Sequence, residues 1–381
     1  MKIMKRIMGM ALIAFVSEAA GQAVPIRYLL PSVSADTGVN AVLFEEDFAD
    51  STYSNILYQH LDRDSIPVFY ERKIKTSVCF DGKCRLLDMS VYWKPTGGYL
   101  GFEMPQGEFL SKTDHEPFRA EDYEKLHAIL ADSLSPLADY SFFELVPETG
   151  NPDQVDAVSS ATLKDIVDFI VPGAAFTTYR LWHLVHGRTR QLVSAHSERL
   201  LNEKFALLLL AKGSPGDQIW GLERAGNLQA WGELFLLRVM RLGESENLNL
   251  AAAAIRSFPD RLLETGEVQH FLVQRIEKGG YPQKKMALAE LFKPEKLCDS
   301  TVAGLVELIP EMNGDLLADA LALLFEKKVD NLPVIRKLAV LLDGNNRYNS
   351  GKVYSFLEKV NSSDAEIRKK MAEYKLRRAK Q

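Results

Sequence analysis

Residues 72–93 read RKIKTSVCFDGKCRLLDMSVYW, and their pattern decides the fold of the N-terminal half. Ile74, Thr76 and Val78 alternate with Lys73, Lys75 and Ser77, while Leu87, Met89, Val91 and Trp93 alternate with Asp88, Ser90 and Tyr92. A period of two places each apolar set on one face of a strand. Between the two runs stands Asp81-Gly82, a pair that tolerates the positive φ angles of a two-residue type I′ turn. The predicted hairpin pairs Phe80 with Lys83 and sets Cys79 opposite Cys84, where Cα atoms lie only about 4.5 Å apart and a disulfide can close. A metal half-site is the other reading of this Cys pair, but no second pair of ligands is legible to complete it.

Working outward, the turn Lys94-Pro95-Thr96-Gly97-Gly98 leads to a third strand over residues 99–104. A helix follows over 121–134, with Tyr123, Leu126, Ile129 and Leu130 on one face. A second helix is expected to start around residues 160–162 and run through Ile166, Phe169 and Ile170 to the Pro172-Gly173 break. Residues 197–361 change character, becoming rich in Leu and Ala at helical spacing. The segments LAAAAIRSF, KKMALAELF and LADALALLF end at Phe258, Phe292 and Phe325, at intervals of 34 and 33 residues. Such a period fits paired-helix repeats of the HEAT or TPR type, HEAT-like being the looser name; an irregular helical bundle is the alternative.

The expected fold class is therefore α+β, a hairpin-sheet domain over 67–172 followed by an all-α HEAT-like repeat region over 197–361. An extension over 24–66, a connecting helix over 173–196 and a basic tail over 362–381 complete the division. These last residues carry seven Lys or Arg against three acids and read as a solvated terminal helix or tail.

The N-terminus bears on location. Lys2, Lys5 and Arg6 precede an apolar run over 7–16 and small residues ending Gly21-Gln22-Ala23. That order predicts a signal peptide cleaved near Ala23 and an exported, periplasmic or extracytoplasmic protein, with no transmembrane segment in the cleaved chain; retention as an uncleaved anchor is the alternative. A net charge of −5 argues against nucleic acid as the main partner.

Residues 156–162, DAVSSAT, carry the chemistry. They resemble the D-x-x-[ST]-G-A-T attachment motif of the FMN-binding domain, found in flavin-bearing subunits of the sodium-pumping NADH:quinone reductase and Rnf-type complexes and in exported bacterial flavoproteins. The resemblance spans roughly residues 71–165, its specific part being the seven-residue motif. It implies that a flavin transferase using FAD esterifies FMN to the Thr162 hydroxyl. Asp156 matches the motif Asp, Ser159 the hydroxyl position and Ala161 the Ala, while Ser160 stands where the family has Gly. A helix start at Thr162 would offer unpaired N–H groups and a favourable dipole to the phosphate. The other reading of Thr162 is a helix cap completed by Asp165.

Tyr99 and Trp93 are candidates to line an isoalloxazine ring, with ordinary core packing as the alternative. His183 and His186 have the spacing of two metal ligands on one helix face but no third ligand, which favours a structural role. The function these readings imply is an exported FMN protein in extracytoplasmic electron transfer, its repeats docking a redox partner protein or membrane complex. Two alternatives are a scaffold or binding protein whose FMN-binding-like domain is degenerate, and a flavin-dependent reductase.

Overall fold

The computed structural model describes residues 25–30, 40–50, 52–78, 86–112, 116–141, 144, 164–312, 314–344 and 346–379. They form an α+β protein that divides into two units, Met1–Arg199 and Leu200–Gln381.

The first unit is built on a six-stranded antiparallel sheet in the order β1-β6-β5-β4-β3-β2. Its strands are β1 (Ile26–Leu29), β2 (Asn40–Glu45), β3 (Ile56–Leu61), β4 (Pro67–Thr76), β5 (Leu87–Trp93) and β6 (Tyr99–Met104). The central ladder pairs Thr76 with Leu87, Ile74 with Met89 and Arg72 with Val91. That is the register a two-residue turn at Asp81-Gly82 requires, since each step away from the turn moves both strands by one residue. Cys79 and Cys84 themselves lie outside the described residues, among which Cys298 is a free, half-buried thiol.

One face of the sheet carries Leu57, Tyr70, Ile74, Met89, Val91, Trp93 and Phe102 into the main core. That face is covered by α1 (Ala120–Ala131), α2 (Ala175–His186) and α3 (Arg188–Arg199), through Leu126 and Leu130, Leu181 and Val185, and Val193. Alternation sends Phe69, Tyr92 and Leu100 to the other face, where they form a small separate cluster.

Two expected boundaries are corrected. The stretch 24–66 is not an extension, because β1, β2 and β3 belong to the sheet. β2 escapes pattern reading because it is an edge strand whose Val42 and Leu43 are exposed, so it has no apolar and polar alternation to see. The stretch 173–196 is likewise not a connector: it contributes α2 and α3, both buried in the core of the first unit.

The second unit opens with α4 (Glu203–Lys212) and continues as helix pairs. First helices are α5 (Pro215–Ala225), α7 (Leu248–Arg256), α10 (Tyr281–Glu290), α12 (Gly314–Glu326) and α14 (Arg347–Val360), each starting 33 residues after the last. Second helices are α6 (Glu233–Leu242), α9 (Gly266–Lys278), α11 (Asp299–Leu308), α13 (Leu332–Val340) and α15 (Ala365–Ala379), again starting 33 residues apart. A single turn, α8 (Asp260–Leu263), precedes α9. First helices touch first helices of the neighbouring pair, and from α9 onward second helices touch second helices. A helix pair of this size cannot bury its own apolar faces, and stacking makes one continuous core from Ala206 to Tyr374.

The three phenylalanines that mark the period in the sequence are not equivalent. Phe258 is buried just past α7, Phe292 is half-buried past α10, and Phe325 lies inside α12 and is exposed. This one-residue drift explains why their spacing is uneven while the helix starts are even. The basic end of the chain, expected as a solvated helix or tail, is the helix α15, which forms the second member of the fifth pair and buries Ile367 and Tyr374.

Candidate functional site

Asp156, Ser159, Ser160, Ala161 and Thr162 lie outside the described residues. The chain re-enters description at a 3-10 helix, Lys164–Phe169, rather than in a longer α-helix. Ile166, Ile170 and Val171 anchor this segment in the core of the first unit. The Lys125 ammonium on α1 donates to the Val167 carbonyl at 3.5 Å, and Gly173 closes the segment with φ at +76°.

Trp93 and Tyr99 are core residues. Trp93 is fully enclosed, and its indole N–H donates to the Val185 carbonyl at 2.9 Å. Tyr99 is 6% exposed and shares a hydrogen bond of 3.0 Å with Nδ1 of His127. Burial lifts the Tyr99 hydroxyl well above its ordinary pKa and lowers that of His127, so both are neutral near pH 7. Neither Trp93 nor Tyr99 offers a free ring face to a flavin. The accessible aromatic surface nearby comes from Tyr28 and His127, with centroids 5.8 Å apart, backed by Phe102 and Tyr123. Sequence reading missed His127 because it lies beside, not on, the apolar stripe of α1, and Tyr28 because β1 was not recognised.

Gly97 and Gly98 form a turn that also permits a close approach. Gly97 donates to the Lys94 carbonyl at 2.8 Å and has φ of +86°. A Cβ there would meet the Arg190 side chain at 2.9 Å.

The histidine pair on α2 is structural. His183 Nε2 meets the Leu137 carbonyl at 3.1 Å and His186 Nε2 the Leu130 carbonyl at 2.9 Å, while the Trp182 indole N–H donates to the Asp132 carbonyl. His186 and Trp182 satisfy carbonyls at the C-terminus of α1, which that helix cannot satisfy itself, while His183 serves the following 3-10 helix, Pro136–Ala138. A carbonyl only accepts, so Nε2 carries the proton in each ring, and Nδ1 of His186 is left buried without a partner. Burial pushes the His186 pKa down to about 4 and lowers that of His183. No group of His, Cys, Asp or Glu able to hold a metal ion is present among the described residues.

The most concentrated polar cluster of the first unit was not legible beforehand. Arg72 sits at an inward position of β4 between Tyr70 and Ile74 and is fully buried. Its Nη1 donates to Asp50 Oδ2 at 2.5 Å and to the Thr189 hydroxyl at 2.8 Å, and its Nη2 to Asp50 Oδ1 at 3.0 Å, the Ser54 carbonyl at 3.1 Å and the Thr52 hydroxyl. The Phe48 ring lies 3.5 Å from the guanidinium carbon. Burial acts to raise the Asp50 pKa, but the bonds and charge of Arg72 outweigh it and hold that carboxyl below its ordinary value. Arg180 of α2 adds donors to the Asp50 and Ser77 carbonyls and to Thr76. The cluster ties β4, the loop after β2 and helices α2 and α3 together.

In the second unit a groove of about 700 Å³ opens between α5 and α7, with Ile219, Ala253 and Phe258 on its floor and Glu223, Asn249 and Arg256 at its rim. Its mixed lining suits a polypeptide better than a small apolar ligand. Among the described residues no helix is long and apolar enough to cross a membrane.

No protein-family model matches the chain, and no curated protein matches it.

Proposed function

We propose that this is an exported flavoprotein whose first unit carries FMN as a phosphoester on Thr162. The observation that carries the reading is the motif DAVSSAT at residues 156–162, which resembles a flavin-attachment sequence in four of its positions. In forming such an ester the Thr162 oxygen attacks the FAD pyrophosphate, FMN is transferred to it, and AMP leaves. The reaction needs an accessible hydroxyl and a transferase, not a preformed ring pocket. The enclosure of Trp93 and Tyr99 therefore does not oppose attachment, although it removes both from any part in holding the isoalloxazine ring. The flavin when bound would supply electron transfer; the chain's own part is to present Thr162 beside a segment anchored by Ile166 and Ile170. The signal-like N-terminus supports an extracytoplasmic location. A HEAT-like role for the stacked pairs, docking a redox partner protein or membrane complex, is supported by their even 33-residue period and by the groove between α5 and α7. That period is shorter than the roughly 40 residues of HEAT repeats, so the likeness is to paired-helix solenoids in general.

The second reading is a binding protein with an empty FMN-binding-like domain. Ser160 in place of Gly favours it. Coexpression of the exported chain with a flavin transferase separates the two: flavin fluorescence that stays with the denatured band supports attachment, and its absence favours the empty scaffold.

A further inference from the structure

Across helix pairs two to four, three positions of the second helix and the turn just past it are core. Gln269, Val273 and Ile276 are all under a tenth exposed, as are Val302, Val306 and Ile309, and Ile335, Ala339 and Leu342. Advanced by one period, these positions become Arg368, Ala372 and Lys375 of α15, and all three are exposed. At 100° per residue they share a face, about 120° wide, with Lys369, Leu376 and Ala379.

That face has a definite composition. Ala372, Leu376 and Ala379 form a shallow apolar strip, with Arg368 and Lys375 along one side and Lys369 along the other. Leu376 is 63% exposed. The acids of α15, Glu366 and Glu373, fall outside this face, on the side of Lys370 and Arg377, which pair with Asp343. Of the three cations on the face, Lys375 has Glu358 at 4.0 Å, both groups well exposed, and lies 5.6 Å from the Tyr354 ring centroid, while Arg368 donates to the Ser362 carbonyl. Residues 347–381 hold ten Lys and Arg against four acids, a local charge of +6 in a chain whose total is −5.

Three cations with no acid among them on one exposed face make a surface of single sign in an acidic chain. Such a face is drawn to the phosphates of an anionic lipid surface, where Leu376 can enter among the upper acyl carbons. We propose that the outer face of α15 docks the protein on an anionic phospholipid bilayer through Arg368, Lys369, Lys375 and Leu376. A nucleic-acid duplex would match the charge but give Leu376 no apolar surroundings. The inference is independent of flavin attachment, since it concerns the second unit alone.

Flotation of the full chain with vesicles tests it. Phosphatidylglycerol-containing vesicles should carry the protein upward at low salt, pure phosphatidylcholine vesicles should not, and about 0.5 M salt should release it as screening shortens to a few ångströms. Lys369→Gln should weaken the partition about fivefold, the loss expected for one surface cation, and Leu376→Ser should weaken it without changing the salt dependence. Both side chains are exposed, so unchanged melting of the variants confirms that folding is intact. No binding to the anionic vesicles, equal binding to both lipids, or binding untouched by the two substitutions overturns the proposal. Retention on duplex DNA with no vesicle binding overturns it in favour of a nucleic-acid partner.

Discussion

Arg72 and Asp50 form a two-point ion pair, Nη1 to Oδ2 at 2.5 Å and Nη2 to Oδ1 at 3.0 Å, with the arginine wholly out of solvent. The pair fastens the loop after β2 to the centre of the sheet, where removal of Asp50 leaves the guanidinium charged and buried. Asp50→Ala should destabilise the first unit by about 3–5 kcal/mol, measured by urea unfolding. Arg72→Met in the same background should recover part of that loss, because the uncompensated charge is gone. A loss below about 1 kcal/mol for Asp50→Ala would show that the loop is held by other contacts.

His186 makes stability depend on pH. Its pKa is about 4 in the folded protein against an ordinary value of 6.5, so between these limits the unfolded chain binds the extra proton. Stability is therefore complete above about pH 6.5 and falls as pH drops toward 4, because protonation would place a second N–H, on Nδ1, in a buried site with no acceptor. The melting temperature should decline through this window, and His186→Gln should flatten the decline. An unchanged slope in that variant would assign the acid sensitivity to another group.

Gly101 is the position where β1 can join the sheet. Its φ is +146°, and a Cβ would stand 2.2 Å from the Tyr28 carbonyl oxygen and 2.8 Å from the Leu29 Cα. Gly101→Ala should expel β1, at a cost of roughly 1–3 kcal/mol or more, and let trypsin cut after Arg27, whose backbone the ladder otherwise holds extended against Glu103. Protection of Arg27 equal to that of the unsubstituted protein would show that the ladder absorbs the methyl group.

The sequence was legible where one face of an element is buried and the other solvated. Ile74, Met89 and Val91 revealed the hairpin and its register, and Leu126 and Leu130 revealed the buried stripe of α1, because burial on one side imprints a period. β2 left no such mark, since Val42 and Leu43 face solvent at a sheet edge. Arg72 was hidden by the same rule: a charged residue within a strand reads as outward, and only the loop carrying Asp50, Thr52 and Ser54 makes an inward arginine stable. The period of the second unit was visible through its phenylalanines, but its full extent was not, because aromatic identity drifts while helix starts are fixed by stacking. The motif at 156–162 declares itself by residue type alone, and no described geometry bears on it.

Flavin attachment is tested most directly by the mass of the intact protein, taken under denaturing conditions after expression with an export pathway and a flavin transferase. Attachment at Thr162 predicts an increment of one FMN less one water on the signal-cleaved chain, with no increment in Thr162→Ala. The mass of the bare chain in both proteins, with the transferase shown to be active on another substrate, would contradict it.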